Sequence, residues 1–251
     1  MRCGEDYNNL CHTDFMRQIK DLNTPPTITR SFKRLSSWLA QTSLGLRRGA
    51  MASVGLGVLL LMQMLMPEAQ AMDLRDWKER SFKGNTQYSH DGPGIRGETD
   101  GAASVLYRET SIDLKETPII EWRWKISNTY GDAHDEQSKA GDDYPARLYA
   151  VVKTGFLPWQ TLAINYVWSS NQPVGTHWKN AYTDKAVMVV LDSGDAEVNI
   201  WNSHRRNLVD DFKRFFDVEI SEIDGYAIMV DGDNTGASAT AWFDRIRFVA
   251  E

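Results

Sequence analysis

From residue 119 onward the chain alternates apolar and polar positions over short runs. In IIEWRWKIS, Ile120, Trp122, Trp124 and Ile126 share one face, and Glu121, Arg123 and Lys125 share the other. That is the period of a strand buried on one side. The same reading applies to ARLYAVVK (146–153), TLAINYVWS (161–169), AVMVVLD (186–192), VNIWNS (198–203), YAIMVD (226–231) and ATAWFDRIRFV (239–249). TQYSH, IRGE and ASVLYRE read as shorter strands between glycine-rich turns. A helical period occurs in LVDDFKRFF, where Leu208, Phe212, Phe215 and Phe216 fall on one side and Asn207 is placed to cap the first turn. About nine or ten strands with one short helix predict an all-β fold, an antiparallel β-sandwich of jelly-roll type. Strands do not alternate with helices, which argues against a nucleotide-binding α/β fold.

The pattern before residue 72 is different. Arg47 and Arg48 precede an apolar run from Ala50 to Met66, and Pro67 and the triplet Ala69, Gln70, Ala71 follow. This charged, apolar and small-residue order predicts a signal peptide over 47–71, cleaved after Ala71, and hence a periplasmic or secreted protein. An uncleaved anchor is the alternative, because the run is at the lower limit for spanning a bilayer. Residues 1–46 are set apart as a disordered or mis-annotated extension, and 72–251 as one β-sandwich domain.

Composition narrows the chemistry of that domain. Both cysteines, Cys3 and Cys11, lie in the extension, so the domain has no disulfide and depends on packing. Between Met72 and Glu251 stand 20 basic and 29 acidic residues, a net charge near −9. Such a surface repels nucleic acid and anionic lipid, and no run of basic residues reverses it. Eight of the nine tryptophans are in this part, suited either to a core or to stacking on sugar rings.

Four stretches carry candidate chemistry. The long polar loop GDAHDEQSKAGDDYPARLY ends in Asp142 and Asp143 and leads to Arg147 inside a strand. Either an aspartate simply pairs with Arg147, or DDYPAR lines a cleft in which Arg147 grips a hydroxyl or carboxylate of a ligand. In NYVWSSNQPVGTHW, Asn165 lies on the opposite face from Leu162, Ile164, Tyr166 and Trp168, while His177 and Trp178 follow a turn, and Asn165 and His177 are candidate ligand-binding groups. Trp168 and Trp178 are read either as core or as a sugar-stacking pair beside the amide. In WNSHRRNLVDDF, Arg205 and Arg206 precede the helix, and Asp210 and Asp211 suit its positive N-terminus; Arg206 is an anion-site candidate.

The fourth stretch is DGDNTGASATAWFDRIRF. Asp231, Asp233, Thr235 and Gly236 have the spacing of the first half of a calcium loop, but position twelve is Trp242, so it is no EF-hand. Asp231, Asp233 and Asn234 are candidate ligand-binding groups, and a turn is the plain alternative. By alternation Asp244 shares a face with Trp242, Ile246 and Phe248, so it needs a partner: Arg147, a backbone donor, or a structural calcium ion shared with Asp231. His90, His134, His177 and His204 lack zinc-motif spacing, and no GxSxG or phosphate-cradling loop occurs. Paired carboxylates for glycoside hydrolysis stay open, because their separation is three-dimensional.

The ordered series PIIEWRWKI, DDYPARLY, LAINYVWS, RRNLVDDF and YAIMVDGDNTGASATAWFDRIRF, preceded by Trp77, Phe82 and GAASVLYRE, resembles the bacterial family called domain of unknown function 3047 over Asp73 to Phe248. Membership implies an exported bacterial protein and no established activity. More loosely, the last strand is similar to the closing strand of galactose-binding-like carbohydrate modules, which implies that such an Asp helps hold calcium. Three functions are expected from these features: a non-catalytic binder of a glycan or other polyhydroxylated envelope ligand; a glycan hydrolase or lyase using two of Asp142, Asp143, Asp231 and Asp233; or a structural envelope protein without a small ligand.

Overall fold

The computed structural model describes residues 72–155 and 160–251. Residues 1–46 and the segment 47–71, expected to be a signal peptide, lie outside them. A 3-10 turn at Leu74–Asp76 leads into twelve strands and a helix: β1 (Lys78–Lys83), β2 (Gln87–Asp91), β3 (Gly94–Asp100), β4 (Ala103–Asp113), β5 (Ile119–Ile126), β6 (Ala146–Lys153), β7 (Thr161–Ser169), β8 (His177–Lys179), β9 (Ala186–Ser193), β10 (Asn202–Asn207), α1 (Leu208–Phe216), β11 (Glu222–Asp231) and β12 (Ser238–Val249). The strands form a seven-stranded sheet in the order β1-β4-β11-β6-β7-β9-β8 and a five-stranded sheet in the order β10-β5-β12-β3-β2. Among these pairings β7 with β9 is parallel and the rest are antiparallel. The fold is the expected jelly-roll type of β-sandwich. Among the described residues no helix is long and apolar enough to cross a membrane.

Alternation accounts for the core between the sheets. Trp122 and Trp124 of β5 meet Tyr166 and Trp168 of β7, with ring centroids 5.3 Å apart for Trp122–Tyr166 and 6.5 Å for Trp124–Trp168. Phe243 of β12 closes on Trp124 at 6.4 Å, edge to face. Burying such rings contributes most of the attraction between the layers. Polar links also cross them: Asp192 of β9 accepts a hydrogen bond from Trp124 Nε1 at 2.5 Å and sits 2.7 Å from His204 Nε2, and Tyr88 Oη of β2 donates to the Ser104 carbonyl of β4 at 2.7 Å.

The outward face of the seven-stranded sheet is also apolar. Val105, Tyr149, Val151, Ala163, Ala227 and Met229 form a second buried cluster there, and Tyr144, Val167, Met188 and Val190 form a third. This explains why β6, β7 and β9 read as nearly continuous apolar runs, with both faces of each strand buried.

Where alternation misled, a backbone irregularity is the cause. In β12 the register with β5 slips by one residue between Asp244 and Arg247, and Arg245 has a φ of 54°. This bulge reverses the phase of the strand. Ahead of it Ala241 and Phe243 point into the core, so Trp242 and Asp244 face outward; after it Ile246 and Phe248 pack inward. The expectation that all four even-numbered residues share the apolar face is therefore overturned. A similar slip in β9, between Val190 and Asp192, turns Asp192 toward Trp124.

The strand expected at 198–203 begins only at Asn202. Val198 N and Ile200 N donate to Asp195 and Glu197 carbonyls in a turn, with Asn199 at a φ of 64°. β1 and β8 were not expected: β1 is a polar edge strand and β8 has three residues. The helix forms as read, with the Asn207 side chain accepting from Val209 N and Asp210 N.

Trp124→Ala should lower the unfolding free energy by about 3–5 kcal/mol, because it leaves a cavity under both sheets and strips Asp192 of a donor. Urea denaturation measures this, and a loss below about 1 kcal/mol would show that the aromatic layer is not what holds the sheets together.

Candidate functional site

Arg147 lies on the outward face of β6, opposite Met229 of β11 and Val167 of β7, and is only 3% exposed. A guanidinium in that position needs acceptors for its donors and charge of opposite sign nearby. Asp231, the last residue of β11, supplies both. Arg147 Nε donates to its Oδ1 at 2.8 Å, and Nη2 donates to its Oδ2 and to the Asp142 carbonyl. The Asp142 carboxylate stands 3.7 Å from Nη1, and the Tyr144 ring lies 4.4 Å from the guanidinium carbon.

Burial pulls Arg147 down, but Asp231, Tyr149, Asp142 and Tyr144 together more than offset it, and its pKa stands above the ordinary value. Burial pushes the Asp231 carboxyl up while Arg147 draws it back. With guanidinium nitrogens on both of its oxygens, the pair is a bidentate salt bridge and not two neutral groups.

Two loops close over this pair. Asp143, fully buried, accepts from Asn234 N at 3.3 Å, Asn234 Nδ2 at 3.1 Å, Thr235 N at 2.6 Å and Thr235 Oγ1 at 2.8 Å. The DGDNTG stretch is thus a turn whose amides are tied to a carboxylate from a distant loop. Gly232 is required in it, because a Cβ would come within 2.2 Å of the Ala237 carbonyl oxygen. Gly141 plays the same part in the other loop, where a Cβ would lie 2.3 Å from the Asp135 carbonyl oxygen.

Sequence reasoning missed Glu136, Asn180 and Tyr182. Glu136 is wholly buried, accepting from Ser170 N at 2.6 Å and from Ser169 Oγ; burial raises its pKa. It sits in a polar loop with nothing in the local pattern to mark it as internal. Asn180 donates to Asp142 Oδ2 at 3.0 Å. Tyr182 Oη donates to the Lys139 carbonyl at 2.9 Å and lies 3.4 Å from Asn234 Oδ1.

Of the residues expected at a site, Asp142, Asp143, Arg147, Asp231 and Asn234 meet in this network, and Asp233 joins its edge. Asn165 is on the same face, paired with Tyr149, but its amide reaches the Val187 carbonyl at 3.4 Å. Trp178 is half-buried on that face against Tyr144, Val167, Met188 and Val190. The other residues lie elsewhere. Trp168 is 0% exposed in the inter-sheet core, so it offers no stacking surface. His177 points away from Trp178, with its ring 5.0 Å from Phe215 of α1. Arg206 pairs with Asp211, whose Oδ2 also accepts from Tyr166 Oη at 2.6 Å, an ion pair that anchors the helix. Asp244 meets Arg123 at 2.5 and 2.9 Å on the five-stranded sheet, so neither the Asp244–Arg147 pair nor a calcium ion shared by Asp244 and Asp231 fits the structure.

Asp143, Asp231 and Asp233 each place an oxygen within 4.8 Å of the others. Calcium would suit such hard ligands. Here, however, Asp143 is committed to four N–H and O–H donors and Asp231 to a guanidinium, which would sit against the cation. The donor set fits a salt-bridged turn and does not fit a calcium site.

These features define a β-sandwich with a buried arginine–aspartate network at one end of its larger sheet. The chain matches the family described as protein of unknown function, DUF3047, over residues 75–247, and belongs to it. No curated protein matches the chain. Solved structures of similar fold include the xyloglucanase domain of NopAA, a type three effector from Sinorhizobium fredii in complex with cellobiose (6% identity, 73% of this chain and 98% of that one, TM-score 0.42). TmCBM61 in complex with β-1,4-galactotriose (13%, 71% and 91%, 0.34) and a mutant of the carbohydrate-binding module CBM29-2 (8%, 70% and 82%, 0.32) are others. Likenesses at these scores carry no argument about this chain's ligand or chemistry.

Arg147→Ala should destabilise the protein by about 3–5 kcal/mol, because it leaves Asp231 buried without its counter-charge, whereas Arg147→Met combined with Asp231→Leu should cost clearly less. Equal losses in both variants, read by urea denaturation, would rule out the uncompensated charge as the cause.

Burial raises the Asp142 carboxyl from its ordinary 3.8 to about 6, against the pull of Arg147 and Asn180. The folded protein therefore binds this proton more tightly than the unfolded chain. The stabilisation is complete below the ordinary value and is lost as the pH rises through the folded one. Asp142→Asn should flatten the fall in melting temperature between roughly pH 4 and pH 7. A variant curve parallel to the wild type's would assign that fall to other groups.

Proposed function

We propose that this is an exported, non-catalytic protein that binds a polyhydroxylated ligand, a glycan of the cell envelope, at the rim of the Arg147 network. Trp178, Tyr182, Asp233 and Asn234 are half-buried around it. One observation carries this reading. Trp178 Nε1 and Asp142 Oδ1 are buried polar atoms with no hydrogen-bond partner among the described residues. One only donates and the other accepts when ionised, the two roles that hydroxyl groups offer. The indole of Trp178 adds a flat apolar face of the kind that packs on a sugar ring. Asp143 holds Asn234 and Thr235 in place, so the amide edge of the rim is fixed before a ligand arrives.

Catalysis by paired aspartates has less support. Asp143 and Asp231 are buried and committed to internal donors. The structural reading is favoured by that same burial, which is what a purely stabilising network needs. Export rests on the 47–71 segment, outside the described residues.

Calorimetric titration of the purified protein against soluble envelope polysaccharides should give saturable binding. In Trp178→Ala or Asn234→Ala the affinity should fall about tenfold or more; each variant also loses packing or a hydrogen bond within the fold, so the titration is run well below its own melting temperature. Absence of binding across a glycan array, or unchanged binding in both variants, would leave the structural reading. Cell fractionation tests the export.

A further inference from the structure

The outward face of the five-stranded sheet carries a site that no linear run of residues announces. Strands β5, β10 and β12 wall a cavity of about 260 Å³ lined by Glu121, Arg123, Ser203, Arg205, Arg245 and Arg247. Four guanidinium groups surround it. Two carboxylates answer them: Glu121, 2.7 Å from Arg247 and 3.8 Å from Arg205, and Asp244, bonded to Arg123. Arg245 approaches Asp244 only to 3.9 Å. Arg205, Arg245 and Arg247 are each more than half exposed.

Arg245 is there because of the β12 bulge. A residue other than glycine held at a φ of 54° is strained, and this bulge adds a guanidinium to a rim that already has three. Beside the cavity runs a ladder of cations and indoles. Arg123 lies 4.5 Å and Lys125 5.3 Å from the Trp201 ring, Lys125 lies 4.3 Å from the Trp242 ring, and Arg96 lies 5.8 Å from it. Trp201 is 37% exposed.

We propose that this cavity binds the carboxylate of an acidic saccharide, with the Trp201 ladder supporting the neighbouring sugar rings. Planar guanidiniums match a carboxylate fork, Glu121 accepts from sugar hydroxyls, and an exposed indole packs on a pyranose face. A ligand bearing both an anion and hydroxyls uses the guanidinium and carboxylate groups of the cavity together. The domain's net charge near −9 repels an anionic bilayer as a whole, so a single acidic unit suits the site better than a membrane surface.

The test uses the full chain and polygalacturonate, with neutral galactan and phosphatidylglycerol vesicles as the other arms, by calorimetry at low and high salt. Polygalacturonate should bind, more weakly as salt rises, and in the Trp178→Ala background, where the rim proposed above is disabled, galactan should not. Arg245→Gly combined with Arg205→Gln should weaken binding at least about tenfold. Glycine accepts the positive φ, so this variant should keep its melting temperature. Trp178→Ala, on the other sheet, should bind polygalacturonate unchanged, which separates this site from the one proposed above. The assignment is overturned by no polygalacturonate binding, by equal binding of galactan in the Trp178→Ala background, by an unaffected double variant, or by binding confined to the vesicles, which would point to a lipid headgroup.

Discussion

A guanidinium taken out of water must find acceptors and a counter-charge, and Arg147 finds them by drawing three separate parts of the chain together. Asp231 at the end of β11 meets it side on, and the carbonyl of Asp142 reaches it from the loop before β6. Once that loop is held, Asp143 is in position to gather the amides of Asn234 and Thr235. The order at this end of the larger sheet follows from one ion pair that is stable only while its surroundings stay complete. Apolar side chains at the same positions could be as stable, but they would not fix these loops to each other.

The two sheets have opposite characters on their outer faces. The seven-stranded sheet is apolar outside as well as inside, with charge concentrated at the Arg147 end. The five-stranded sheet is apolar inside, while its outer face alternates arginine, lysine and tryptophan. An acidic chain thereby acquires a local excess of positive charge on one surface. The polar rim beside Trp178 suits neutral hydroxyls, and the arginine-lined cavity suits an anion. The two proposed sites would read different features of the same class of ligand.

Much of the layout was legible before the fold was known. Periodicity identified β5, β6, β7 and β12 and the helix with its Asn207 cap, while a long polar loop and a turn rich in Asp, Asn and Gly marked Asp142, Asp143, Arg147, Asp231 and Asn234 as residues worth attention. The misses have specific causes. Trp168 was open to reading as a stacking platform because a strand with two buried faces gives no clue to which indole is innermost. Asp244 was assigned to the wrong face because the bulge at Arg245 leaves no trace in the alternation. Glu136 gave no signal, since an acidic residue in a polar loop looks solvated until Ser169 and Ser170 are seen to enclose it.

By itself the sequence determined the strand periods, the sandwich class, the absence of any disulfide in the domain and the overall acidity, because each depends on residue type or on neighbours a few positions apart. Tertiary structure alone decided that Asp231 rather than Asp244 pairs with Arg147, that Asp143 accepts from Asn234 and Thr235, and that arginines from three strands border one cavity. Those outcomes depend on which strands lie side by side and where a single extra residue shifts the register. Both are set by the packing of two layers and by no local stretch of chain.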